Sequence, residues 1–240
     1  MTFWEHLDEL RGSLIRMAIA AIAMGLVAFA MKETLFDIVL APSKSDFFLY
    51  RIIGAEPFDI KLINTGLAEQ FTIHMKVALT VGLLVASPYI LYLLFHFVSP
   101  ALYENEKRYS VRITLSAYLM FIVGVALNYF LVFPLTVRFL GTYSVSADIE
   151  NMLTLSSYVD SMLMMSLWFG IIFELPVVCW FLGKFGLLKA EWMTRYRRHA
   201  IVAILIIAAI ITPTGDIFTL MVVSLPIYIL YEASAILVRR

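Results

Sequence analysis

Apolar and polar positions along this chain segregate on the scale of whole helices. Six apolar runs, at about 14–31, 71–97, 113–133, 158–182, 200–212 and 217–237, are separated by polar segments. Since about 20 apolar residues cross a bilayer, the pattern predicts six transmembrane helices. A short charged stretch, Phe3-Trp4-Glu5-His6-Leu7-Asp8-Glu9-Leu10-Arg11, precedes the first run. Thr2-x-x-Glu5 reads as a capping box, so a helix starts near Thr2. Phe3, Leu7, Leu10 and Leu14 form one apolar stripe, and His6 and Glu9 share a neighbouring face. The stretch reads either as an interfacial collar for the first span or as a place where Glu9 meets a cationic ligand.

The connections are uneven. Residues 32–68, with Pro42, Gly54, Pro57 and Gly66, are too long to lack local helix. Residues 99–108 make a short polar turn. The third span is expected to stop at Pro134, with a second long connection at about 136–157. Pro176 predicts a kink in the fourth span. The fifth span is short: 13 residues reach about 20 Å against a hydrocarbon core of about 30 Å. Either the run has been cut short, or the Pro213–Asp216 turn lies in a locally thin membrane.

Composition narrows the class. The chain has 240 residues and is 62% hydrophobic, against about 45–50% in soluble domains, so it is a polytopic membrane protein. A formal net charge of zero offers no bulk basic surface for nucleic acid. The single cysteine, Cys179, excludes an intrachain disulfide and a cysteine metal cluster. Glu5, Asp8 and Glu9 argue against a cleaved signal peptide, whose leading region is net positive. Of 18 Lys and Arg residues, 12 fall on the side shared by both termini, which predicts cytoplasmic termini.

Carboxylates are the candidate chemistry. Glu174, in Phe173-Glu174-Leu175-Pro176, lies between apolar runs and should be protonated, paired or beside water. It reads as a hydrogen-bond partner for backbone freed at the kink, a polar contact for an inserted helix, or a proton site. Glu232 is expected to snorkel or pair with a terminal arginine. Glu106, in the turn after the second span, falls on the same side as Glu9. Taken alone it is a solvated turn carboxylate paired with Lys107 or Arg108. Two carboxylates on one surface would suit two adjacent guanidiniums, which bind carboxylate through two parallel bonds as lysine cannot. Hydrolase, nucleotide-binding and metalloprotease motifs are missing, and His6, His74, His96 and His199 are scattered. No enzyme activity, metal or cofactor is expected.

Several further motifs stand out along the chain. They are His6-Leu7-Asp8-Glu9-Leu10-Arg11, Ser87-Pro88 leading into Phe97-Val98-Ser99-Pro100-Ala101-Leu102-Tyr103-Glu104-Asn105-Glu106-Lys107-Arg108, and Glu69-Gln70-Phe71 with Lys76. Tyr129-Phe130 with Pro134, Gly170 with Phe173-Glu174-Leu175-Pro176, Thr212-Pro213 with Asp216, and Tyr231-Glu232 complete the set. Together they resemble the TatC family, the core subunit of the twin-arginine protein translocase, and the resemblance runs through essentially the whole chain. It implies six helices in a concave, cupped arrangement with both termini inside, two short helices at the C-terminal end, and residence in a bacterial inner membrane. It implies that Glu9 and Glu106, with His6, Arg11, Phe97, Pro100 and Arg108 close by, receive the paired arginines of signal peptides on folded cargo proteins. It implies that the signal peptide's apolar stretch inserts near Glu174, that Thr212 and Asp216 dock single-span TatA/TatB-type subunits, that other copies of the chain join the complex, and that Pro42 serves transport. Two features depart from the pattern: the turn Thr212-Pro213-Thr214-Gly215-Asp216 is one residue longer than the common form, and Leu220 stands where many members carry glutamine.

The residues leave one competing function, a proton-coupled small-solute transporter using Glu174, although the internal repeats such transporters often carry are not visible. An intramembrane protease is more distant, for want of a nucleophile–base or metal signature.

Overall fold

A computed structural model describes residues 3–58, 60–98, 107–146, 151–212 and 215–238. The chain is an all-α membrane protein. Among the described residues five helical stretches are long and apolar enough to cross a bilayer: His6–Ala30, Glu69–Phe97, Ile113–Thr142, Leu155–Lys184 and Ile217–Val238. The helix at the remaining predicted span is too short to join them.

The helices are α1 (Phe3–Ala30), α2 (Lys32–Leu40), α3 (Phe48–Ile52), α4 (Glu69–Val98), α5 (Lys107–Leu127), α6 (Phe133–Thr142), α7 (Leu155–Ile172), α8 (Leu175–Lys184), α9 (Ala190–Arg195), α10 (Arg197–Ile211) and α11 (Ile217–Val238). Two two-residue strands, β1 (Leu62–Ile63) and β2 (Leu153–Thr154), pair in parallel, Leu62 beside Leu153. No pattern in the sequence announced them; they let two connecting segments satisfy each other's backbone groups. The chain forms two compact units, Met1–Ile38 with Gly66–Leu119, and Val39–Thr65 with Met120–Arg240.

In the first unit α1 and α4 lie antiparallel, His6 meeting Phe97 at one end and Phe29 meeting Phe71 at the other. A seam of small residues spaced by four, Ala21 and Gly25 on α1 and Ala78, Gly82 and Ala86 on α4, sets the approach. A Cβ at Gly82 would collide with the Gly25 backbone and lie 2.7 Å from the Ala21 carbonyl oxygen. Of the apolar stripe at the start of α1, Leu7 and Leu14 are 40% and 53% exposed, and Leu10 is half-buried. His74 stacks on Phe29 at 4.0 Å, with Phe36 of α2 edge-on at 5.7 Å.

In the second unit the predicted stop at Pro134 does not hold. The helix runs on to Thr142 through a five-residue π turn, Asn128–Val132. Pro134 has no N–H to return to the preceding turn, and the wide turn absorbs that missing bond. The predicted kink before Pro176 is a break: α7 ends at Ile172 and α8 begins at Leu175. The 15-residue α10, Arg197–Ile211, begins three residues before the predicted fifth run and spans about 22 Å. Cys179, Met193 and Ala235 form a small core joining α8, α9 and α11, and the Tyr231 hydroxyl donates to the Met193 carbonyl at 2.7 Å.

Candidate functional site

The N-terminal motif lies on the first turns of α1, beside the last turns of α4. The His6 ring stacks on Phe97, centroids 4.3 Å apart and planes 17° from parallel. One turn further on, Glu9 is half-buried; its Oε2 is sealed from solvent and accepts no hydrogen bond from the described residues. A buried carboxylate oxygen left without a donor costs about 1–3 kcal/mol or more, so a donor brought to this atom would be stabilising. Arg11 is exposed on the same helix. Glu106 and Pro100 lie outside the described residues. Arg108 is in the first turn of α5, and its side chain lies outside them too. The chemistry available is therefore an acceptor beside an aromatic–imidazole shelf, a combination that fits a planar cation.

Glu174 sits at the break between α7 and α8. Its N–H reaches the Ile171 carbonyl at 3.1 Å, and its carbonyl receives the Val178 N–H at 3.0 Å. Its side-chain Oε1 is buried, with no partner among the described residues. Two glycines narrow the neighbourhood: Gly124 lies against the Phe169 carbonyl and the Phe173 ring, and Gly170 against the Phe121 ring.

Pro42 is buried in a single 3₁₀ turn, Ala41–Ser43. The Tyr50 hydroxyl shares its proton between the Pro42 carbonyl at 2.8 Å and the Pro134 carbonyl at 3.0 Å. The Tyr158 hydroxyl donates to the Val39 carbonyl at 3.0 Å. Phe47, Leu49 and Tyr50 are buried among Phe58, Tyr129 and Leu135. Burial pushes the Tyr50 hydroxyl well above its ordinary range, the Arg138 guanidinium opposing in part. Sequence reasoning singled out Pro42 and missed both tyrosines, because their partners are backbone carbonyls far away in the chain.

At the C-terminal end, Asp216 has a local task the sequence reading overlooked. Its Oδ1 accepts the Thr219 N–H at 2.7 Å, capping α11. An aspartate just before an apolar helical run was the available signal. Gly215, in the lengthened turn, takes φ +57°, a conformation glycine adopts freely. Thr212 is buried, its Oγ1 without a partner among the described residues. Glu232 pairs with Arg197 at 2.6 Å and accepts the Tyr228 hydroxyl at 3.1 Å; the terminal arginines, Arg239 and Arg240, lie outside the described residues. Among the described residues no three His, Cys, Asp or Glu side chains gather as metal ligands.

Comparison with known proteins gives a consistent result. A family model described as Sec-independent protein translocase protein (TatC) matches residues 5–226. Proteins named Sec-independent protein translocase protein TatC include one from Koribacter versatilis, 36% identical over 98% of this chain and 83% of its own length. Another, from Desulforapulum autotrophicum, is 38% identical over the same two shares. A third, from Aquifex aeolicus, is 34% identical over 99% of this chain and 94% of its own. A crystal structure described as that of the twin-arginine translocase receptor TatC matches with a TM-score of 0.82 and 33% identity, covering 98% of both chains.

Proposed function

The chain belongs to the TatC family, and from that premise we propose that it is the receptor and core subunit of a Sec-independent, twin-arginine protein translocase. It binds the signal peptides of folded cargo proteins and catalyses no reaction of its own, and the transmembrane proton gradient drives transport. The observation that carries this reading is the Glu9 oxygen, buried beside the His6–Phe97 stack with no hydrogen bond from the described residues. A signal-peptide guanidinium supplies the missing donor, and Glu106 receives the second arginine. Arg11, Pro100 and Arg108 border the pair.

The rest of the assignment follows the same premise. The protein resides in a bacterial inner membrane, with six spans and both termini cytoplasmic. The signal peptide's apolar stretch meets Glu174, whose buried oxygen, without a partner among the described residues, supports a contact there. Thr212 and Asp216 dock single-span partner subunits, and further copies of the chain complete the complex. Pro42, held by Tyr50, keeps the first outer connection in its transport-competent form.

The test is binding of a twin-arginine signal peptide to the purified protein in detergent, alongside Glu9→Gln, Glu106→Gln and a twin-lysine peptide. Each change is expected to weaken binding by about 1–3 kcal/mol, because charge-assisted bidentate bonds are lost. Equal affinity for both peptides, or indifference to both substitutions, would remove the proposed receptor site.

A further inference from the structure

A second, differently built recess lies at the junction of α8, α9 and α11. Its volume is about 700 Å³, and its lining includes Gly186, Leu188, Lys189, Glu191, Arg195 and Val238. The fold makes it in three steps. Gly186, at φ +71°, ends α8 by letting the Leu187 N–H return to the Leu182 carbonyl at 3.0 Å. The chain then enters α9, which is pinned to α11 by the Tyr231–Met193 hydrogen bond. The space left between these helix ends is the recess.

Its level relative to the membrane follows from its walls. Lys184 ends one of the stretches long enough to cross a bilayer and Val238 ends another. The recess therefore sits where apolar helix gives way to polar chain, the depth of lipid headgroups. Two tryptophans mark the same level, each with a lysine ammonium over its ring: Lys184 over Trp180 at 5.7 Å and Lys189 over Trp192 at 5.8 Å.

The charge is one-sided. From Lys184 to Arg198 the chain carries five basic residues and one acid. Arg197 is committed to Glu232, and the Thr194 hydroxyl to the Ala190 carbonyl. Arg195 and Lys189 are both exposed, and neither forms an ion pair among the described residues. We propose that this recess binds the phosphate of an anionic phospholipid headgroup, with Lys189 and Arg195 as its cations. Arg195 supplies a planar fork suited to phosphate oxygens, and Lys189 a point charge. Leu188 and Val238 give the glycerol and first acyl carbons an apolar wall, which a free anion does not use. Glu191 opposes a second negative charge. That favours a lipid phosphodiester, a monoanion, over inorganic phosphate, a large part of which is a dianion at neutral pH.

Native mass spectrometry of the full chain in detergent tests this, with phosphatidylglycerol and phosphatidylcholine of the same acyl chains as probes. At about 1 kcal/mol for each basic residue near a headgroup, two cations give the wild type about a thirty-fold preference for phosphatidylglycerol. Lys189→Gln with Arg195→Gln is expected to lose most of that preference. Lys32→Gln with Lys44→Gln, which removes two cations elsewhere, is expected to keep it. Equal retention of the two lipids by the wild type would overturn the site. So would a Lys189/Arg195 double variant that still prefers phosphatidylglycerol, or a control pair that loses the preference equally. Inorganic phosphate at matched ionic strength separates the two sources of the anion. Displacement of phosphatidylglycerol by millimolar phosphate would overturn the lipid assignment, and undiminished retention supports it.

Discussion

Tyr50 holds together two parts of the chain that are 84 residues apart with a single hydroxyl. Replacing it by phenylalanine leaves the ring's packing and takes the donor from two buried carbonyls, at a cost of about 1–3 kcal/mol. A lowered thermal midpoint in detergent would register the loss. The same residue sets an alkaline limit. Its folded pKa lies above the ordinary value of 10.0, so it supports the fold fully below that pH and progressively less above it. In thermal melts between about pH 9 and 11, wild type should lose stability more steeply than Tyr50→Phe. Glu9 belongs to this scale too, and its part in the proposed site was legible from local spacing. His6 and Glu9 lie three apart; the structure puts one on the Phe97 shelf and leaves the other a buried oxygen with no partner among the described residues. Tyr50 and Tyr158 were illegible because a hydroxyl bonded to a distant carbonyl leaves no periodic trace.

At the scale of elements, glycine spacing decides how closely helices approach. Gly82→Val on α4 should cost about 1–3 kcal/mol or more, since the new side chain has only the Gly25 backbone to displace. Gly12→Ala on α1 meets nothing nearer than the Arg16 guanidinium at 3.5 Å and should be neutral or slightly stabilising. Parallel unfolding curves for the two variants would separate a crossing point from an ordinary helical glycine. Hydrophobic runs predicted where helices would form, because a run long enough for a bilayer admits little else. They said less about where helices end. Pro134 was expected to stop the third helix and does not, because a π turn takes up its missing bond. Pro176 was expected to bend the fourth and breaks it.

For the whole molecule, the proposed topology is open to direct measurement. In a Cys179→Ala background, Lys44→Cys should react with an impermeant maleimide from outside intact cells. Lys189→Cys should react only after permeabilisation. Reaction of both from one side would contradict six spans with both termini inside. The π turn at Asn128–Val132 matters here in a way that reaches past its own five residues. It adds a residue without adding a turn, which sets back the rotational phase of everything after it by about 100°. Deleting one residue there would restore a regular helix and swing Phe133–Thr142 around its axis, carrying the Pro134 carbonyl away from Tyr50. In this stretch chain length acts as an angle, so a change in residue count that the connection at 143–146 could absorb would here misdirect half a helix.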